Sequence, residues 1–401
     1  MRVGVGYSDN PDSTAAGMQA AQSALAQTGR GDPCDLVLLF ATSRHDPQVL
    51  RDAVSMVVGD KVPVVGGGAV GIISNTSYGY AGDQVGLAAF WMDDIAFNLQ
   101  VEGGLQGDEA AVGIRLGDKL KAGGIKPESP VLLFYDAIDR SKGGMRLVLA
   151  TPLLAGVEQS MGFLPAIVGA GLQGDYTLSP TKQWTGKGIE QHTTLALSFG
   201  AELHVDSVIL HGCRPSTGYF TVTKAEGQTI LEINGQPALK FMQELLGPSI
   251  APEDYPFFLI FGVNRGDKWG DFDEKIYANR LCLAIDKERD GIVMFEPDMV
   301  AGTVFQVMHR ALDLDYMAPK LHDIFDCLDS RKPVFALYID CAGRAAGYAG
   351  TDLEDALVVQ KVVADRVPVL GIYSGVEIAP VMGKSRTLDW TGVFCLFSVP
   401  L

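Results

Sequence analysis

One arrangement of residues recurs along the chain and constrains the fold more than any single motif. "STAAGMQAAQSALAQTG" (Ser13–Gly29) and "DEAAVGIRLGDKLKAGG" (Asp108–Gly124) both open on a residue type that caps helices. Both run through Ala-Ala at helical spacing and close on Gly. A strand-like segment precedes each, "RVGVGYS" or "AFNLQVEGG". A buried-type strand follows each, "DLVLLFA" (Asp35–Ala41) or "PVLLFYDA" (Pro130–Ala137). A second helix comes next, then a short Gly-rich strand, then alternating strands: "DQVGLAAFWM" in one case, "IEQHTTLALSF" and "LHVDSVILHG" in the other. A third copy closes the chain. It comprises "KPVFALYIDCAGR" (Lys332–Arg344), a helix over Thr351–Asp365 opened by a Thr-x-x-Glu capping box, "VPVLGIYSGVEIAP" (Val367–Pro380) and "WTGVFCLFSV". The expected fold is therefore α/β, with mixed sheets and helices packed outside. Its β-α-β-α-β-β-β units repeat at about 100 residues, a domain-sized period rather than a solenoid one.

The repeat also decides what the glycines do. "GGGAVG" (Gly66–Gly71) and "GAGLQG" (Gly169–Gly174) both satisfy G-x-G-x-x-G, the dinucleotide pattern. That pattern requires a helix to begin at the last glycine, because the phosphates sit on its N-terminus. The following residues, "IISNTSYGYAGDQ" and "DYTLSPTKQWTGKG", are dense in turn formers and make no helix. The glycines read as places where backbones pack closely or bend, and no cofactor is expected.

Net charge is −16 with a pI near 4.8. That balance opposes binding to nucleic acid or to an anionic membrane. No apolar segment reaches the roughly 20 residues that span a bilayer, and the N-terminus lacks the pattern of a secretory leader. The six cysteines are scattered, with no C-x-x-C. Reduced thiols in a cytoplasmic protein are the expectation. His211 and Cys213 share a strand face, but no second pair follows, so no metal site is expected.

Laid out this way, the chain resembles the FIST family, an N-terminal FIST domain over residues 1–215 (two tandem units) followed by a FIST C-terminal domain over 216–401 (the third unit). The resemblance rests on "VGVGYS", on "DLVLLFAT" followed by "VPVVGGGAVGIIS", and on "STGYFTVTKAEGQTILEINGQPALKFMQELLG" (Ser216–Gly247). "YIDCAGR" (Tyr338–Arg344) and "VPVLGIYSGVEIAP" complete it. It implies a prokaryotic cytoplasmic sensory module that binds small ligands such as amino acids. No output domain is present in this sequence, so signalling would pass through a separate protein. The chain departs from the family pattern at Gly68, Ala69 and Ile72, where a hydroxyl residue and a Glu are usual.

The polar residues that could carry recognition stand where buried strands end, since loops converge on ligands at those rims. In the last unit these are Cys341, Arg344, Tyr373, Ser374 and Glu377. Arg344 suits a carboxylate, bound in a bidentate fork, and Glu377 suits an amino group. In the first unit they are Ser43 and Arg44, with Gly66 and Gly68 on the neighbouring strand. Arg214, held by Pro215, stands between the two expected domains. The leading expectation is a sensor binding amino acids or related carboxylates. The alternative is an enzyme using Cys341 as nucleophile with Arg344 and Glu377 on a small acyl or amino-acid substrate, which requires a stabilised thiolate.

Overall fold

The computed structural model describes residues 1–401. Three six-stranded sheets share one plan. The first runs, in spatial order, Arg2–Ser8, Val85–Trp91, Leu36–Ala41, Val64–Gly68, Gln183–Gly186 and Ile189–Glu190. The second runs Phe97–Gly103, Thr193–Phe199, Pro130–Asp136, Ala166–Leu172, Val376–Val381 and Lys384–Leu388. The third runs His204–Leu210, Gly392–Pro400, Arg331–Cys341, Val369–Ser374, Gly71–Ser74 and Tyr78–Tyr80. In each sheet the third and fourth strands are parallel and the other neighbours antiparallel. A helix crosses between the parallel strands, as parallel pairing demands.

The last two strands of every sheet form a hairpin borrowed from another unit. The first sheet takes it from the second unit, the second from the third, and the third from the first. The exchange closes on itself, so no unit completes its own sheet.

Alternation along each strand places one apolar face inward. The three inner faces meet in a single cluster of 35 buried residues. Phe40 and Phe134 meet edge-on at 5.1 Å across two sheets, and Phe335 touches both Phe90 at 5.1 Å and Phe397 at 5.2 Å. Each such side chain contributes roughly 1.5–3 kcal/mol by leaving water. The outer faces are covered by helix pairs: Ser13–Thr28 with Pro47–Val58, Glu109–Ala122 with Ala150–Met161, and Met317–Asp326 with Asp355–Val363.

The Gly-rich strands serve packing. A Cβ on Gly169 would lie 1.8 Å from the Leu133 carbonyl oxygen, and one on Gly66, at φ 126°, would lie 2.0 Å from that of Leu39. After Gly71 the chain enters a strand, Gly71–Ser74, and crosses to the third sheet. A strand follows Gly71 and a loop follows Gly174, so neither glycine pattern opens a helix.

Three features differ from the sequence reading. The third unit opens at His204–Leu210, which pairs with Gly392–Pro400 rather than closing the second unit. Residues 213–310, inserted before helix Met317–Asp326, build a fourth sheet. It closes on itself where Ile260–Asn264 pairs with Val304–Arg310, and helix Ala238–Leu246 packs on its separate core. The last helix begins at Asp355 rather than at Thr351. Glu354 is taken up by the Ala346 N–H and the Tyr373 hydroxyl, and so does not close the capping box.

Candidate functional site

The parallel strands of the third sheet end side by side, with Cys341 opposite Ser374. Because alternate residues face opposite ways, Cys341 follows Ile339 toward the common core, while Asp340 follows Tyr338 toward the helices. The rim is therefore split. On the helix side, Arg344 is 6% exposed and fully engaged. It donates to Asp340 Oδ1 at 3.2 Å, the His211 carbonyl at 3.1 Å and the Tyr316 hydroxyl at 2.8 Å, and pairs with Asp355. On the core side, Glu377 accepts from the Ser374 hydroxyl at 3.0 Å. Arg344 and Glu377 do not pair with each other.

Each side has a cavity, and Trp390 walls both. The cavity on the helix side, ≈ 240 Å³, is lined by Arg310, Arg344, Tyr316, His211 and Asp355. That on the core side, ≈ 80 Å³, is lined by Cys341, Ser374, Gln173, Asp389 and aromatic rings. Trp390 holds φ 53°, a left-handed conformation uncommon for a bulky side chain and frequent at ligand clamps. The Arg310 guanidinium lies 3.3 Å from the centroid of its ring.

Arg310 differs from Arg344 in having no acid beside it. Its Nη2 donates to the Phe257 carbonyl at 2.5 Å, and its Nε is buried without an acceptor. Burial lowers its pKa to about 10, so it remains charged at neutral pH. His211, lining the same cavity, is neutral: burial drives it down to about 4. Its Nδ1 accepts from the Cys213 N–H at 2.9 Å, which leaves Nε2 to donate to the Glu274 carbonyl at 3.2 Å. Both ring nitrogens are thus occupied.

The environment of Cys341 raises its thiol pKa well above the ordinary value, through burial first and then the nearby Glu377. No histidine touches it. A thiolate needs the opposite surroundings.

The other residues singled out in the sequence are dispersed. Ser43 and Gly68 line a separate cavity of ≈ 170 Å³ beneath the hairpin borrowed from the second unit. Arg44 is exposed, and Gly66 lies within the first sheet's parallel pair, in register with Leu39. Arg214 is exposed on the inserted sheet, 5.3 Å from the centre of the Phe272 ring. Tyr373 faces the helices and donates to Glu354 at 2.5 Å. Arg310, Asp389 and Trp390 escaped the sequence reading. Arg310 ends an alternating strand like any solvent-facing cation, and Trp390 reads only as the first residue of the closing strand "WTGVFCLFSV".

The fold is a three-sheet α/β body with two cavities where the strand ends of its third sheet meet an inserted barrel. Residues 35–236 match the FIST N domain and residues 238–380 the FIST C domain. The chain belongs to the FIST family, whose domains are sensory domains of signal transduction. Relatives include an uncharacterized protein of Mycobacterium tuberculosis, 25% identical over 99% of this chain and 100% of that protein. Another, from Mycobacterium bovis, is 23% identical over 99% of each. A crystal structure of cyanuric acid hydrolase from A. caulinodans aligns over 50% of this chain and 71% of its own, at 12% identity and a TM-score of 0.27. That similarity is too slight to bear on fold or chemistry. No helix is long and apolar enough to cross a membrane.

Proposed function

We propose that this protein is a cytoplasmic sensor that binds a small carboxylate, amino acids included, in the ≈ 240 Å³ cavity and signals through a separate protein. Arg310 carries the reading. A charged, half-buried guanidinium set against Trp390 with no acid partner is an uncompensated cation, and an anionic ligand supplies what the protein does not. Arg344 supports it differently from the sequence expectation. Already held by Asp340 and Asp355, it shapes the wall rather than acting as the fork. The enzyme reading finds less support, since the surroundings of Cys341 favour the neutral thiol.

Calorimetric titration with a panel of amino acids and small organic acids tests this, run on the natural protein and on Arg310→Gln. At least one carboxylate binds the natural protein. Arg310→Gln weakens it by about tenfold or more, the loss expected for one charge-assisted contact. A silent panel, or equal affinity in the variant, contradicts the proposal.

A further inference from the structure

On the core side of Trp390 the structure gathers carboxyl oxygens that no protein donor satisfies. Glu377 is 0% exposed; its Oε1 takes the Ser374 hydroxyl, and its Oε2 has no partner. Asp389 is 4% exposed; its Oδ2 accepts from the Leu281 N–H at 2.9 Å, and its Oδ1 has no partner. The two belong to one hairpin, in which Glu377 lies opposite Leu388. Buried acceptors are almost always paired, and leaving one unpaired costs about 1–3 kcal/mol. Two on one hairpin, beside a cavity that Asp389 lines, are a feature to be explained.

The rest of that cavity narrows the chemistry. Its walls are Trp390, Phe295, Phe257 and the stacked pair Tyr176 and Tyr348, whose ring centres lie 4.6 Å apart. Aromatic faces attract cations, and carboxylates accept from N–H donors. At ≈ 80 Å³ the space suits a small head group. We infer that this second cavity binds a small protonated amine, with Asp389 accepting its N–H bonds, Glu377 adding negative charge from behind the lining Ser374, and the rings enclosing the ligand's charge. The site goes beyond the carboxylate reading and stands without it. Burial pushes the Asp389 carboxyl up to about 6 and Glu377 well above its usual range, a penalty on their ionisation that a bound ammonium offsets.

Methylammonium is the probe, and the indole N–H signals of the four tryptophans in the full-length protein are the readout. Trp390 is expected to shift saturably, while Trp269, 83% exposed, serves as the internal control. Tetramethylammonium, which lacks N–H donors, leaves Trp390 in place. Asp389→Asn and Glu377→Gln each weaken methylammonium by about tenfold or more. If one variant fails to fold, the other decides. Absence of a saturable Trp390 shift, or affinity unchanged in a folded variant, overturns the inference. Acetate titrated in parallel against Arg310→Gln reports on the carboxylate cavity alone, so failure of either arm is read separately.

Discussion

At the scale of single residues, the site is governed by which charges are compensated. Arg344 has two carboxylates and Arg310 has none, and that difference, not proximity to a conspicuous motif, marks the ligand-facing cation. Cys341 is the clearest test of the opposing chemistry. Burial and Glu377 hold its thiol protonated, so iodoacetamide should label it more slowly than the exposed Cys327 from about pH 6 to 9. Faster labelling of Cys341 near neutral pH would restore the nucleophile reading. The residues legible in sequence were those on the rim strands: Cys341, Ser374 and Glu377 do gather, because strand ends are readable from a buried run. Arg310 and Trp390 were not, since they reach the site only through the inserted barrel and a turn between distant strands.

At the scale of elements, long-range caps tie the inserted barrel to the body. Helix Ala150–Met161 has no side-chain cap of its own. Glu296 of the inserted segment caps it instead, accepting from the Ala150 and Thr151 N–H groups at 3.0 and 2.9 Å. Burial nevertheless raises its pKa from 4.5 to about 7, with Asp389 adding to the shift and Arg280 opposing it. The folded state therefore keeps this proton to higher pH than the unfolded chain does. The contribution of Glu296 to stability is greatest below about pH 4.5, falls as pH rises to about 7, and is flat above. Urea unfolding across that window should show the natural protein losing up to about 3 kcal/mol relative to Glu296→Gln. A constant difference between them contradicts the assignment. The helices and strands of the first two units were readable because periodicity is local. The start of the third was not, because His204–Leu210 and its helix are separated by the whole inserted sheet.

At the scale of the whole molecule, exchanged hairpins make the three units interdependent. The repeat was plain in the sequence, but a hairpin pairing with another unit leaves no local signal; only closure of the sheets reveals it. A fragment of residues 1–203 keeps two units yet loses the strand that pairs with Gly71–Ser74, the hairpin that completes the second sheet, and a third wall of the common core. It should show no cooperative thermal transition, whereas a sharp transition like that of the intact chain would mean that the exchange is dispensable. Only the closed body presents the strand ends of the third sheet to the barrel, and the cavities lie along that junction. The most direct measurement is a crystal structure of the protein with the tightest carboxylate from the titration panel. The account places its carboxylate against Arg310 beside the Trp390 ring. Density for the ligand in another cavity, with Arg310 bare, would contradict it.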